Sequence, residues 1–231
     1  MKRIGILGGS SDQATADYYR RLNVAVNARL GGSNTAEVII NSMNFQFAAD
    51  GVHQNRWNEL GVYLAARAKA LEVAGADVLI CVSNTLHRMA PVFTAGLSIP
   101  FLHIVDPTGA AIKARGFKNA ALLGTKAAMS GTWLQQRYAE NFGIKIVVPG
   151  PAAQDVMDRI IFDELCRGRF TPDSKAYYLE AVARLHDQGA EAVILGCTEI
   201  PLLIGQADLP HVQMFDTTGL HVEAAVDFAL K

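Results

Sequence analysis

VLICVSNTLH (Val78–His87) and AVILGCTEIP (Ala192–Pro201) are the two stretches that decide the fold. Each opens with an unbroken apolar run and ends in a small nucleophilic residue, Ser83 or Cys197, with polar groups behind it. An apolar run without polar alternation marks a strand buried on both faces, and such strands belong to parallel sheets covered by helices. Matching Ser83 with Cys197 sets the two stretches about half the chain apart. That spacing predicts two similar lobes, a weak signal alone because βα units resemble one another.

The pattern extends outward in both directions. RIGIL (Arg3–Leu7), VIINS (Val38–Ser42), IPFLHIV (Ile99–Val105), NAALLG (Asn119–Gly124), IKIVV (Ile144–Val148) and VQMFD (Val212–Asp216) read as further strands. Between them, helical patterns run over Ala14–Leu30, Trp57–Ala74, Gly131–Phe142, Asp155–Leu165 and Asp173–Gln188, and from the last strand to Leu230. Tyr18, Leu22 and Val26 share one face of the first helix. The expected class is α/β: two lobes, each a parallel sheet flanked by helices, with the active site in a cleft between them. The expected division is residues 1–107 with 211–231 in one lobe and 108–210 in the other.

Composition narrows the function classes. Half of the 231 residues are apolar, 19% are charged, and 21 basic residues face 22 acidic ones. This describes an ordinary folded chain with no electrostatic reason to bind nucleic acid. No stretch approaches the roughly 20 apolar residues that span a bilayer, and MKRIGILGGSS does not read as a secretion signal. A cytoplasmic location without membrane partners is therefore expected. Cys81, Cys166 and Cys197 are too few and too widely spaced for a disulfide framework or a zinc site. No GxSxG elbow is present, and the six histidines lack metal spacing.

Ligands of open α/β sheets bind beyond the carboxyl ends of the strands, so the residues just after the strands carry the chemistry. Gly8-Gly9-Ser10-Ser11 opens a helix and could hold an anion on its N–H groups, or could simply be a tight turn. Ser83-Asn84-Thr85 could bind a carboxylate, or could cap a helix. Gly124-Thr125-Lys126 is a third polar turn. Gly196-Cys197-Thr198-Glu199 brings a thiol to an expected helix N-terminus, a position that lowers thiol pKa, although buried cysteines are more often structural. Cys81 reads as core, and Cys166 lies on a helical pattern.

Together these residues resemble the aspartate/glutamate racemase family over nearly the whole chain. Gly8, Gly9, Ser11 and Thr15 are similar to its first glycine turn, from which Ser10 and Ala14 depart. Asn84-Thr85-Leu86-His87 is similar to its Asn-Thr-x-His motif, and Leu122–Thr125 to its LLGT turn. Gly196–Glu199 keeps its Gly-Cys-Thr-Glu signature intact. The resemblance implies cofactor-independent, metal-independent racemisation of aspartate or glutamate, with one acid/base group on each side of Cα. Carried over, the catalytic pair is Cys197 and Ser83, and the substrate contacts are Ser11, Asn84, Thr85, Thr125, Thr198 and Glu199. It also implies a homodimer.

Two departures bear on activity. The family's first thiol would stand at Ser83, and a hydroxyl is a much poorer base than a thiolate, which implies preference for one enantiomer, the L form. The position that usually offers a basic or amide group to the distal carboxylate matches Val52, with His53, Gln54 and Arg56 close by, while Arg167 stands where a basic residue near the cleft is expected. Two other readings stay open: a single-thiol decarboxylase or isomerase of a small dicarboxylate, and a non-catalytic binder of an acidic metabolite.

Overall fold

The computed structural model describes residues 1–231, and the chain divides into two compact units, Met1–Ile104 with His221–Lys231, and Val105–Leu220. The first unit contains β1 (Ile4–Gly8), α1 (Asp12–Leu30), β2 (Val38–Ser42), α2 (Phe45–His53), α3 (Trp57–Val73), β3 (Val78–Cys81), a 3-10 turn (Thr85–Met89) and α4 (Ala90–Phe93). The second contains α5 (Val105–Ala114), β4 (Asn119–Leu123), α6 (Lys126–Ser130), α7 (Thr132–Phe142), β5 (Lys145–Val147), α8 (Pro151–Asp163), a 3-10 turn (Leu165–Arg167), α9 (Pro172–Asp187), β6 (Ala192–Leu195), α10 (Ile200–Leu203) and β7 (Gln213–Asp216). The last helix, α11 (Thr217–Ala229), begins in the second unit and ends in the first.

In the first unit the strands are parallel in the order β2-β1-β3. Ile4, Ile6, Val78, Ile80 and Val82 pack against Tyr18, Leu22 and Val26 of α1 and Val222 and Val226 of α11. The opposite face meets α3 and the turn after it, where a Cβ on Gly5 would lie 3.4 Å from Leu71 Cβ of α3 and 2.8 Å from Ala76 Cβ of the turn. With both faces covered, the continuous apolar runs are accounted for. His221, wholly buried, places its ring between Tyr18 Oη (Nδ1, 3.0 Å) and the Leu102 carbonyl (Nε2, 2.9 Å), so it is a satisfied core histidine.

The second unit holds four parallel strands in the order β5-β4-β6-β7. Leu122, Leu123, Val193 and Ile194 are fully buried, as are Tyr178 and Val182 of α9. On the surface of this unit Asp106 takes a bidentate grip from Arg137 at 2.8 and 2.7 Å, joining α5 to α7.

Three expectations are corrected. Ile99–Val105 is not a strand: it makes one parallel bridge, Leu79 to Phe101, and α5 starts at Val105. Pro100 has no N–H to extend a ladder, and Asp106-Pro107 falls in the first turn of a helix, where proline is tolerated. Residues 45–53, which no strand or helix pattern was expected to cover, form α2, capped by Asn44 Oδ1 accepting from Gln46 N–H. Residues 211–220 stay with the second unit because β7 pairs in register with β6, Leu195 beside Asp216. No helix is long and apolar enough to cross a membrane.

Two surface carboxylates tie chain segments together through backbone N–H groups. Glu191 accepts from Lys118 and Asn119 at 2.7 and 2.8 Å, and Glu72 accepts from Ser98 and Ile99 at 2.5 and 3.2 Å. The Glu191 carboxyl lies below its ordinary value of 4.5 because the Lys118 and Asn119 N–H groups favour the charged form. A depressed folded pKa adds stability that is present above the unfolded value and lost as pH falls through the folded one. We therefore expect Glu191→Gln to lower the Tm at pH 7, with wild type and variant converging in scans taken progressively below about pH 4.5; a constant gap down to pH 3 would contradict this account.

Candidate active site

Because β1 and β3 are neighbours, the turns after them lie side by side at the carboxyl edge of the first sheet. The Ser10 hydroxyl donates to the Val82 carbonyl and ties them together. Gly9 sits at φ +84°, where a side chain would run into the Met43 backbone, so the turn requires glycine. Ser11 Oγ accepts from Ala14 N–H at 3.1 Å and caps α1, while Thr15 Oγ1 donates to the Ser11 carbonyl (2.7 Å) and accepts from Gly9 N–H (2.8 Å). Caps of this kind contribute about 1 kcal/mol each.

Ser83 Oγ accepts from Leu86 N–H at 3.2 Å, so the hydroxyl caps the 3-10 turn. Its carbonyl accepts from His87 Nδ1 at 2.6 Å, and His87 Nε2 accepts from Ile104 N–H at 3.1 Å. These partners place the imidazole proton on Nδ1. His87 therefore pins the Ser83–Thr85 turn to the segment that leaves the first unit. Ser11, Ser83, Asn84, Thr85 and His87 are all buried.

In the second unit, strand order places β6 between β4 and β7. A Cβ on Gly124 would lie 2.8 Å from the Gly196 carbonyl oxygen, so the turns after β4 and β6 approach backbone to backbone. Thr125 Oγ1 accepts from Ala128 N–H at 3.2 Å and caps α6. The Cys197 thiol donates to Glu199 Oε2 at 2.9 Å, and the Thr198 hydroxyl donates to the same oxygen at 2.9 Å. Cys197, Thr198 and Glu199 are buried. Burial pushes the Cys197 thiol well above its ordinary value, and the charge of Glu199 and then the proximity of Cys166 add to the rise.

That direction corrects the expected depression of the thiol. α10 begins three residues after Cys197 and has only four residues, too short for a macrodipole that could offset desolvation and a facing carboxylate. The Arg167 side chain is 64% exposed and meets Asp163 at 3.5 Å. Its neighbour Cys166 is buried in that 3-10 turn together with Leu165. Val52 is buried within α2, and Arg56 is engaged by Glu59 at 2.8 Å and stacked over Phe47. Cys81 is a core thiol, pushed up to about 12 by burial.

The structure thus assembles Ser11, Ser83, Asn84 and Thr85 in one unit and Thr125, Cys197, Thr198 and Glu199 in the other. The sequence reading passed over the turn after β7, where Asp216 Oδ1 accepts from Thr218 and Gly219 N–H (2.9 and 3.1 Å) and Thr217 Oγ1 donates to the Leu195 carbonyl (2.9 Å). The post-strand rule applied to VQMFD would have found it. No group of three or more His, Cys, Asp or Glu side chains is placed to hold a metal ion.

The profile of the Asp/Glu/Hydantoin racemase family matches residues 4–225, and the chain belongs to that family. Among solved structures it is similar to a candidate Asp/Glu racemase of Yersinia pestis (36% identity, TM-score 0.89) and to an aspartate racemase homologue of Pyrococcus horikoshii OT3 (32%, 0.84), each covered over the full length of both chains. It is 31% identical to the glutamate racemase of Thermus thermophilus over 73% of this chain and 58% of that protein. The chain spans less than two thirds of the length of the curated glutamate racemases it matches.

Beyond burial, Glu199 raises the Cys197 thiol by its charge and by accepting the thiol's hydrogen bond. Glu199→Gln removes the charge, so Cys197 should be alkylated by iodoacetamide at pH 8 faster than in wild type. Peptide mass spectrometry reads this, with Cys81 as the unreactive internal control. Slower alkylation of Cys197 in a folded variant would contradict the geometry.

Proposed function

We propose that the protein is a cofactor-independent amino-acid racemase acting on aspartate or glutamate, in which Cys197 serves one face of Cα and Ser83 the other. The observation that carries this reading is the buried thiol–carboxylate contact, Cys197 Sγ to Glu199 Oε2, inside an intact Gly-Cys-Thr-Glu turn. A thiol held protonated in a dry setting is a proton donor, and its thiolate, once formed, is a strong base suited to a weakly acidic Cα proton. Asn84, Thr85, Thr125 and Thr198 would hold the α-carboxylate, with Ser11 beside the first turn, and their donors would stabilise the enolate-like charge. Arg167, paired with Asp163, is outside this assignment.

Ser83 sets the direction. A serine hydroxyl is a weak acid and a weak base without activation, and here it already accepts from Leu86 N–H. The enzyme should favour the enantiomer whose Cα proton faces Cys197, the L form in this reading. The single thiol also fits a decarboxylase in which one cysteine protonates an enolate, and release of carbon dioxide from disubstituted malonates would favour that reaction. A homodimer and a cytoplasmic location complete the proposal, the first checked by sedimentation.

In deuterium oxide, wild type should place deuterium on Cα of L-aspartate or L-glutamate. Cys197→Ala should lower the exchange rate by about 10²–10⁴-fold, the usual contribution of one acid/base group, and Ser83→Cys should raise turnover of the D enantiomer. Absence of exchange with both acids, in wild type and in Ser83→Cys, would overturn the racemase reading.

A further inference from the structure

Three strands of the second sheet end beside one another in the order β4, β6, β7. Each is followed by threonine: Thr125 after β4, Thr198 in the Cys197 turn after β6, and Thr217 and Thr218 after β7. Three of these hydroxyls are engaged. Thr125 accepts from Ala128 N–H, Thr198 donates to Glu199, and Thr217 donates to the Leu195 carbonyl. Thr218 is different: it is wholly buried, and its Oγ1 has no hydrogen-bond partner in the protein.

A buried hydroxyl without a partner is costly, because its interactions with water are lost and nothing replaces them. Valine has nearly the same shape and avoids the penalty, so packing alone does not call for threonine at this position. The place is also specific. The register sets Asp216 beside Leu195, so the residues that follow Asp216 flank those that follow Leu195, and the latter begin with Gly196 and Cys197. Thr218 lies in the first turn of the 13-residue helix α11, whose N-terminal end favours negative charge.

We propose that Thr218 is a further substrate-binding residue, whose hydroxyl donates a hydrogen bond to a carboxylate oxygen of the amino acid handled by Cys197. This rests on the racemase reading. Thr217 anchors the turn through the Leu195 carbonyl and Asp216 caps the helix, which leaves the Thr218 hydroxyl as the group with capacity to spare. The proposal adds the end of β7 to the second unit's share of the site, so far drawn from the turns after β4 and β6.

The test compares Thr218→Val and Thr218→Ser with wild type, using Cα deuterium exchange of L-aspartate and L-glutamate and thermal melts with and without each acid. Thr218→Val should raise KM by about 10- to 100-fold, as expected for a lost hydrogen bond to a charged group. Its melting temperature without ligand should equal or exceed that of wild type, while the rise on adding the acid shrinks. Thr218→Ser, which keeps the hydroxyl, should return KM to within a few fold of wild type. An unchanged KM in a folded Thr218→Val would overturn the proposal, as would a KM defect shared by Thr218→Ser or a ligand-free melting temperature several degrees lower. Absence of exchange by wild type with either acid would instead remove the racemase reading, and the role of Thr218 with it.

Discussion

A parallel sheet covered on both faces is dry along its whole length, so it can use polar side chains only where its strands stop. That constraint organises both units of this protein. The interiors of β1, β3, β4 and β6 are apolar, while the buried side chains of Ser11, Ser83, Thr85, His87, Thr125, Cys197, Thr198 and Thr217 follow the ends of β1, β3, β4, β6 and β7. Placing such groups out of water is expensive unless each finds a partner. The turns meet that demand locally, through caps at Ser11, Ser83 and Thr125 and through the double hydrogen bond that Cys197 and Thr198 give to Glu199.

The same topological position performs opposite roles in the two units. After β3, the Ser83 side chain accepts, from Leu86 N–H. After β6, the Cys197 side chain donates, to a buried carboxylate. The difference follows from the neighbours: a 3-10 turn starting at Thr85 presents a backbone N–H to Ser83, whereas Glu199 turns an oxygen back onto the sulfur. The two side chains thus differ in hydrogen-bonding role as well as in residue type. The asymmetry written in the residue types is therefore deepened by the hydrogen bonding around them.

The turn after β3 is also tied to the rest of its unit. His87 accepts from Ile104 N–H while donating to the Ser83 carbonyl, and His221 holds the neighbouring Leu102 carbonyl while receiving Tyr18. Two buried imidazoles, 6.0 Å apart between ring centroids, thereby fix residues 102–104 just before the chain passes into the second unit. Such hydrogen bonds are modest individually, but each ring satisfies two partners, so loss of either would leave several buried groups exposed to cost.

Much was legible in the residues alone. Unbroken apolar runs such as VLIC and AVIL require burial on both faces, and that requirement, with the helical spacing of Tyr18, Leu22 and Val26, dictated parallel sheets and the turns where chemistry could stand. Ser83, Thr125 and Cys197 were found because post-strand position follows from strand order along the chain. The fate of Ile99–Val105 was not legible: its apolarity suits a strand or a buried segment leading into a helix, and only packing against Leu79 and the start of α5 separates them. Nor was the charge state of Cys197, since residue type and turn position suggest a lowered pKa while burial and Glu199 raise it. The orphaned hydroxyl of Thr218 likewise exists only in three dimensions, because whether a polar group has a partner depends on what lies beside it in space.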